Sequence, residues 1–278
     1  MGAGQERQRE KRESRSLLYW CSVRTPCTHG LLCVHSLSVD LVREGDTIPV
    51  LSDISFEMEP RSIVGLFGES GCGKTTLARS LLKLLPPRRY RVRGSVRLNG
   101  RELLSLDERQ LETVRGAQIA FIFQDPLLAL NPVLRVRDQV AEVIRAHAAA
   151  GAHDIEELFT LAGLPASRRI LDAYPHQLSG GERQRVTIAQ ALACQPPLVI
   201  ADEPFTALDS TKVVSLTDLF RQLKATLGIS FLLIGHQPGI LGRVADEVLI
   251  MRAGKIVERG APRHVLAGFG RPFPGPPS

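Results

Sequence analysis

Apolar and polar residues alternate from Val34 to Leu41. His35, Leu37, Val39 and Leu41 fall on one side and Val34, Ser36, Ser38 and Asp40 on the other, the period-two pattern of a half-buried strand. After the turn-rich stretch REGDT the alternation resumes from Val50 to Met58 through Ile54 and Phe56, so the two segments predict a hairpin. The run Ile63-Val64-Gly65-Leu66-Phe67 does not alternate, as expected of a strand covered on both faces of a parallel sheet. Comparable runs recur at Ile119–Phe123, Leu198–Ala201, Ile229–Ile234 and Val248–Met251, separated by stretches of helical length, which predicts an α/β fold. Between about 126 and 192 the strand signal vanishes. Helical spacing takes over (Val140, Val143, Ile144; Ile155, Leu158, Phe159, Leu161) until Gly163-Leu164-Pro165, so a helical subdomain is expected between two core strands. No internal repeat is present. One globular unit is expected over 31–268, flanked by a disordered basic extension (1–30) and a disordered Pro/Gly-rich tail (269–278).

Composition sharpens this only at a few points. With 44% hydrophobic and 23% charged residues the chain is ordinary for a globular protein, and no apolar run is long enough to span a bilayer, so any membrane role requires a partner. The net charge of +6 suggests an anionic partner, but residues 1–30 hold six Lys/Arg against three Glu and so carry half of it. A body with only the remaining excess gives no ground for expecting nucleic acid. The apolar patch Leu17–Cys21 follows a segment containing Glu6, Glu10 and Glu13 and precedes no small-residue cleavage site, which does not fit a secretory signal. The five cysteines form no CxxC pair and no metal-ligand spacing, the usage of a reducing compartment.

Three motifs carry chemistry. After the Ile63–Phe67 strand, Gly68-Glu69-Ser70-Gly71-Cys72-Gly73-Lys74-Thr75 fits G-x-x-x-x-G-K-[ST] and leads through Thr76 into a helix-prone segment. Its glycines let successive N–H groups face phosphate oxygens, Lys74 reaches the terminal phosphates, and Thr75 offers a hydroxyl to Mg²⁺. Cys72 sits at a variable position of the loop and reads as filler. Second, Leu198–Ala201 ends in Asp202-Glu203, whose carboxylates can both turn into the crevice at the strand's C-terminal end, Asp202 toward Mg²⁺ and Glu203 toward an attacking water as general base. Third, Ser179-Gly180-Gly181-Glu182 reads as a helix start with a capping box, and its exposed glycine amides also suit an anion.

Leu178-Ser179-Gly180-Gly181-Glu182-Arg183-Gln184-Arg185 resembles the signature sequence of ABC-type ATPases, and other positions match that family in order over about residues 31–265. Gln124 resembles the Q-loop glutamine, which senses Mg²⁺ and the lytic water and links to the membrane subunit. Thr206-Ala207-Leu208-Asp209 resembles the D-loop, and His236 the switch histidine at the γ-phosphate. The segments Gln124-Asp125-Pro126, Leu130-Asn131-Pro132 and Tyr174-Pro175-His176-Gln177 are most similar to cassettes of the oligopeptide, dipeptide and nickel importer group. Two positions depart from the pattern. Leu41 stands where the family usually stacks an aromatic on adenine, with no Phe, Tyr or Trp over 34–50, and the His236 loop reads Gly-His-Gln instead of Thr-His-Asp.

The resemblance implies a RecA-like P-loop NTPase core with an antiparallel β subdomain and an inserted α-helical subdomain, using MgATP. Catalysis is expected from Lys74, Gln124, Glu203 and His236, metal binding from Thr75, Gln124 and Asp202, and nucleotide contacts from residues 68–76, Leu41, Ser179–Glu182 and Asp209. Ser179 and Gly181 would complete the site of an opposing subunit. The implied partners are a second cassette and integral-membrane permease subunits at the cytoplasmic face of the membrane, with an extracytoplasmic solute-binding protein acting indirectly. Alternatives are a non-transport cassette, such as one of a phosphonate-degrading complex, and a regulatory cassette that no longer hydrolyses ATP.

Overall fold

The computed structural model describes residues 30–43, 46–147, 154–206 and 208–269. The segments 1–29 and 270–278, expected to be disordered, and Ala207 of the D-loop motif lie outside the described residues.

The predicted hairpin is present: β1 (Leu32–Arg43) pairs antiparallel with β2 (Asp46–Met58). Its alternation is not continuous, however. Leu32 and Val34 are buried before a register shift and Leu37 and Val39 after it, with Ser36 at φ 47°; likewise Asp53, at φ 53°, separates Leu51 from Ile54 on the buried face. A bulge moves the inward face by one residue, which is why His35 is exposed and Leu51, not Val50, is buried. The amides at the two irregularities bond across the hairpin, Ser36 N to Ser55 Oγ (2.9 Å) and Asp53 N to Ser38 Oγ (3.0 Å). Two further strands, β4 (Tyr90–Leu98) and the short β5 (Arg101–Glu102), complete a four-stranded sheet in the order β2-β1-β4-β5. The sequence reading missed both.

The second sheet contains β3 (Ile63–Gly68), β6 (Ile119–Ile122), β7 (Leu198–Asp202), β8 (Ser230–Gly235), β9 (Glu247–Arg252) and β10 (Lys255–Gly260), in the order β10-β9-β3-β8-β7-β6. The pairings from β9 to β6 are parallel and only β10 runs antiparallel. Every residue of β3, β7 and β8 is buried. The absence of alternation in these strands follows from two separate cores. Ile63, Phe67, Val199, Ala201, Phe231 and Leu233 pack toward the helical layer, while Val64, Leu66, Leu198, Ile200, Leu232 and Ile234 pack with β1, β2 and the helix α1 (Lys74–Leu81). The run at 119–123 departs from this: β6 is an edge strand, it ends at Ile122, and Phe123 is 43% exposed.

Among the described residues, every element between β6 and β7 is helical. These are α3 (Pro126–Ala129), α4 (Val136–Ala146), α5 (Ile155–Leu161), α6 (Arg168–Leu171), a 3₁₀ turn (Pro175–Gln177) and α7 (Gly180–Leu192); the short α2 (Glu108–Glu112) precedes β6. After β7 come α8 (Ser210–Leu227), α9 (Pro238–Val244) and α10 (Pro262–Val265). Phe269, placed by the sequence reading in the tail, packs edge-on against Phe67 at 4.9 Å between ring centroids and carries Arg252 over its face.

Gly254, in the turn between β9 and β10, ties the two sheets to the phosphate loop. Its N–H donates to Cys72 O (3.0 Å) and its carbonyl accepts from Ser52 N (2.9 Å). It holds φ 75°, and a Cβ there would lie 2.3 Å from Val50 O. Gly254→Ala is therefore expected to destabilise the nucleotide-free protein by about 1–3 kcal/mol, a fall in Tm of roughly 3–10 °C for a domain of this size. An unchanged Tm by calorimetry would show that this turn yields freely.

Candidate nucleotide site

The site lies at the C-terminal ends of the parallel strands, where the loops after β3, β6, β7 and β8 converge. β3 ends at Gly68, and the chain curls back into α1 through Gly71 (φ 79°) and Gly73 (φ 107°). Gly73 precedes the first residue of α1, and a Cβ on it would meet Leu51 Cδ2 at 2.8 Å and Met251 Cε at 3.0 Å. The first turn of α1 has no side-chain cap and no acidic residue, so its amides, including those of Thr75 and Thr76, remain for an anion. Lys74 is only 5% exposed, and its ammonium donates to Gly68 O (2.9 Å) and Glu69 O (2.8 Å). It forms no ion pair among the described residues. Glu69, Ser70 and Gly71 are exposed, and Cys72 is half-buried against the core.

Asp202 and Glu203 diverge, where the sequence predicts both carboxylates in the crevice. Asp202 is buried; burial pushes its carboxyl above the ordinary range, opposed by a hydrogen bond with Thr75 and reinforced by the neighbouring Glu203 charge. Its Oδ1 has no hydrogen-bond partner. Glu203 takes φ 49°, a left-handed conformation uncommon outside glycine, with its N–H on Ile234 O (3.0 Å). That twist ends the strand and turns the carboxylate into the cleft. There Glu203 Oε2 accepts from Gln124 Nε2 (3.3 Å) and Thr206 Oγ1 (3.0 Å) and lies 3.3 Å from His236 Nδ1.

Three candidates from three separate loops thus meet on one oxygen. Gln124 turns its amide nitrogen toward Glu203, and the carbonyl oxygen of the same amide is the atom that could serve a metal. Thr206 was quoted in the sequence only as part of the D-loop; its hydroxyl contact depends on the turn, which no spacing rule displays. The turn is closed by Thr206 N on Glu203 O (3.2 Å) and anchored by Phe205, buried edge-on against Phe220.

The signature turn forms the expected capping box. Ser179 Oγ accepts from Glu182 N (3.3 Å), and Glu182 Oε2 accepts from Ser179 N (2.8 Å). A hydrogen bond from Arg169, absent from the sequence reading, joins the one from Ser179 to hold the Glu182 carboxyl below the usual range. Gly180 is exposed and Gly181 half-buried; no hydrogen bond of Ser179 or Glu182 reaches the Lys74 or Glu203 clusters. Asp209 caps α8 by accepting from Lys212 N (3.0 Å), and its hydrogen bonds with Lys212 and Thr211 depress its carboxyl. Leu41 is half-buried. Its partner across the sheet is Tyr90 on β4, and the two line an open recess with Val42, Arg43 and Arg89. Tyr90 lies far outside the aromatic-free stretch 34–50, and the alternation of Tyr90, Val92, Val96 and Leu98 is the sequence signal that marks its strand.

The sequence profile of the ABC transporter family matches residues 51–206. A putative peptide import ATP-binding protein of Brucella abortus is 43% identical, covering 84% of this chain and 71% of the relative. The oligopeptide transport ATP-binding protein of Salmonella typhimurium is 40% identical (85% and 71%), and the dipeptide transport ATP-binding protein of Bacillus subtilis 38% (85% and 72%). Among solved structures, a dimeric bacterial ABC transporter cassette superposes with a TM-score of 0.73 at 25% identity, over 84% of this chain and 99% of that one. The chain belongs to the ABC transporter family, as one of its ATP-binding, ATP-hydrolysing subunits.

Proposed function

We propose that this subunit powers a peptide-type importer, pairing with a second cassette and docking on integral-membrane permease subunits at the cytoplasmic face of the membrane, with a solute-binding protein delivering cargo from the other side. The relatives named above bear the names of ATP-binding proteins of peptide import, oligopeptide transport and dipeptide transport. Directly after Gln124 the surface exposes Leu127 (52%), Leu128 (87%) and Val133 (74%) beside Phe123, an apolar patch suited to a permease loop. Among the described residues no helix is long and apolar enough to cross a membrane.

The observation that carries the chemistry is the convergence of Gln124, Thr206 and His236 on Glu203 Oε2. Lys74 and the loop amides bind the β- and γ-phosphates. Glu203 orients a water and draws its proton as the oxygen bonds to the γ-phosphorus; the bond to the bridging oxygen breaks and ADP departs with the electron pair. His236, at the same oxygen, is placed to report the γ-phosphate. Asp202 Oδ1, buried without a partner, and the Thr75 hydroxyl fit a hard cation. Mg²⁺ held there would neutralise phosphate charge. Ser179, Gly180 and Gly181 are presented for the nucleotide of the opposing cassette, and adenine rests on the Leu41–Tyr90 surface.

Glu203→Gln should keep ATP affinity within about threefold while slowing hydrolysis at least ~100-fold, the scale of a lost general base; an ATP-bound dimer should accumulate. Wild-type turnover in that variant would remove Glu203 from the mechanism. For Asp202 the sign is set by burial. Between the ordinary carboxylate range and its raised pKa the folded chain keeps a proton that the unfolded chain has lost, so this group's contribution to stability falls as pH rises through that window. Asp202→Asn should accordingly raise the Tm of the nucleotide-free protein at neutral pH, yet weaken Mg²⁺-dependent ATP binding by about tenfold or more. A lower Tm together with unchanged Mg²⁺ dependence would contradict both halves. Tyr90→Ala should weaken ATP, but not inorganic triphosphate, by the roughly 1–3 kcal/mol of a base stack; equal losses by titration calorimetry would place adenine elsewhere.

A further inference from the structure

Gln184 sits on α7, five residues after Ser179. It is a polar side chain in a helix interior, 7% exposed, and its amide nitrogen donates to the carbonyl of Pro204. Pro204 is the residue immediately after Glu203, inside the turn closed by Thr206. A buried amide costs free energy unless paired, and a proline carbonyl in a turn lies outside any sheet ladder, so each group satisfies the other. Around this bond the same helix grips α8, through Arg185 Nη2 on Ser215 Oγ (2.7 Å). The start of α7 presents Ser179 to a nucleotide, while its second turn is fastened to the backbone that holds Glu203 in its left-handed twist.

We infer that Gln184 is a positioning residue for ATP hydrolysis: its hydrogen bond to Pro204 couples the signature helix to the turn that aims the Glu203 carboxylate. The inference rests on the reading of Glu203 as the group that orients water. It adds a mechanical consequence. When the signature face engages a partner's phosphate, any shift of α7 is transmitted within the chain to the carboxylate of its own phosphate-loop site. Gln184 is 7% exposed, and its amide nitrogen is engaged by a backbone carbonyl. Its effect must therefore fall on turnover and not on binding.

The test uses purified full-length chain with Gln184→Met, which keeps length and removes the donor, and Gln184→Glu, whose introduced carboxyl donates to Pro204 only while protonated. Gln184→Met should lower kcat about tenfold or more, the scale of a slightly misplaced catalytic group, with ATP affinity within twofold. Gln184→Glu should be equally slow at pH 8 and recover at least threefold relative to wild type by pH 6, since burial raises a carboxyl's pKa. Glu203→Gln is measured alongside. If it is inactive while both Gln184 variants turn over within twofold of wild type, the coupling is wrong and the role of Glu203 stands. If Glu203→Gln is itself fully active, the underlying reading fails. Losses of kcat and affinity in proportion, or a flat pH ratio for Gln184→Glu, would make Gln184 a packing residue only. Should Gln184→Met fail to fold, the pH ratio of Gln184→Glu decides alone.

Discussion

A buried ammonium group without a counter-ion organises this molecule. Lys74 lies almost wholly inside the protein, held by two backbone carbonyls and by no carboxylate among the described residues. An enclosed cation costs several kcal/mol unless compensated, and carbonyl dipoles compensate only in part. Its charge is nevertheless felt at Asp202, whose own Oδ1 is buried and unpaired. Lys74 and Asp202 are thus two incompletely satisfied opposite charges near one loop. Under the proposed function a polyanion accompanied by a divalent cation would satisfy both at once, and its binding would stabilise the fold.

Everything around that pair serves to bring strand ends together. Parallel strands covered on both faces put their loops at one edge of the sheet, and the residue after β7 leaves the strand by a conformation that extended backbone cannot provide. Glu203 consequently points into the cleft while Asp202 stays beneath it in the core. Gln124, Thr206 and His236, from separate segments, cluster about one oxygen of Glu203.

Much of this was legible in the sequence because the phosphate loop, the Asp202-Glu203 strand end and the Ser179 turn each depend on neighbours in the chain. Backbone curl, strand termination and helix capping are local physics. The buried strands were equally readable, since residues feeding two cores have no polar face. What escaped was set by partners distant in sequence. The hairpin's bulges at Ser36 and Asp53 shift its inward face and are satisfied across strands. The strand carrying Tyr90 counts only because it pairs with β1, and the Gln184–Pro204 bond joins two layers. Phe123 misled because its run looks buried, whereas an edge strand leaves one side open.

The central claim is that one chain supplies Lys74 and Glu203 and another supplies Ser179 to the same ATP. It is tested most directly by mixing two inactive variants, Lys74→Ala and Ser179→Arg, after showing that wild-type activity rises more than linearly with protein concentration. Each homodimer has both sites damaged, but a mixed dimer contains one site with an intact Lys74 and an intact Ser179. The account predicts that ATPase activity returns on mixing, to about half of the wild-type value per mixed dimer if the sites act independently. A crosslinked mixed dimer that binds no ATP and shows no turnover would contradict it.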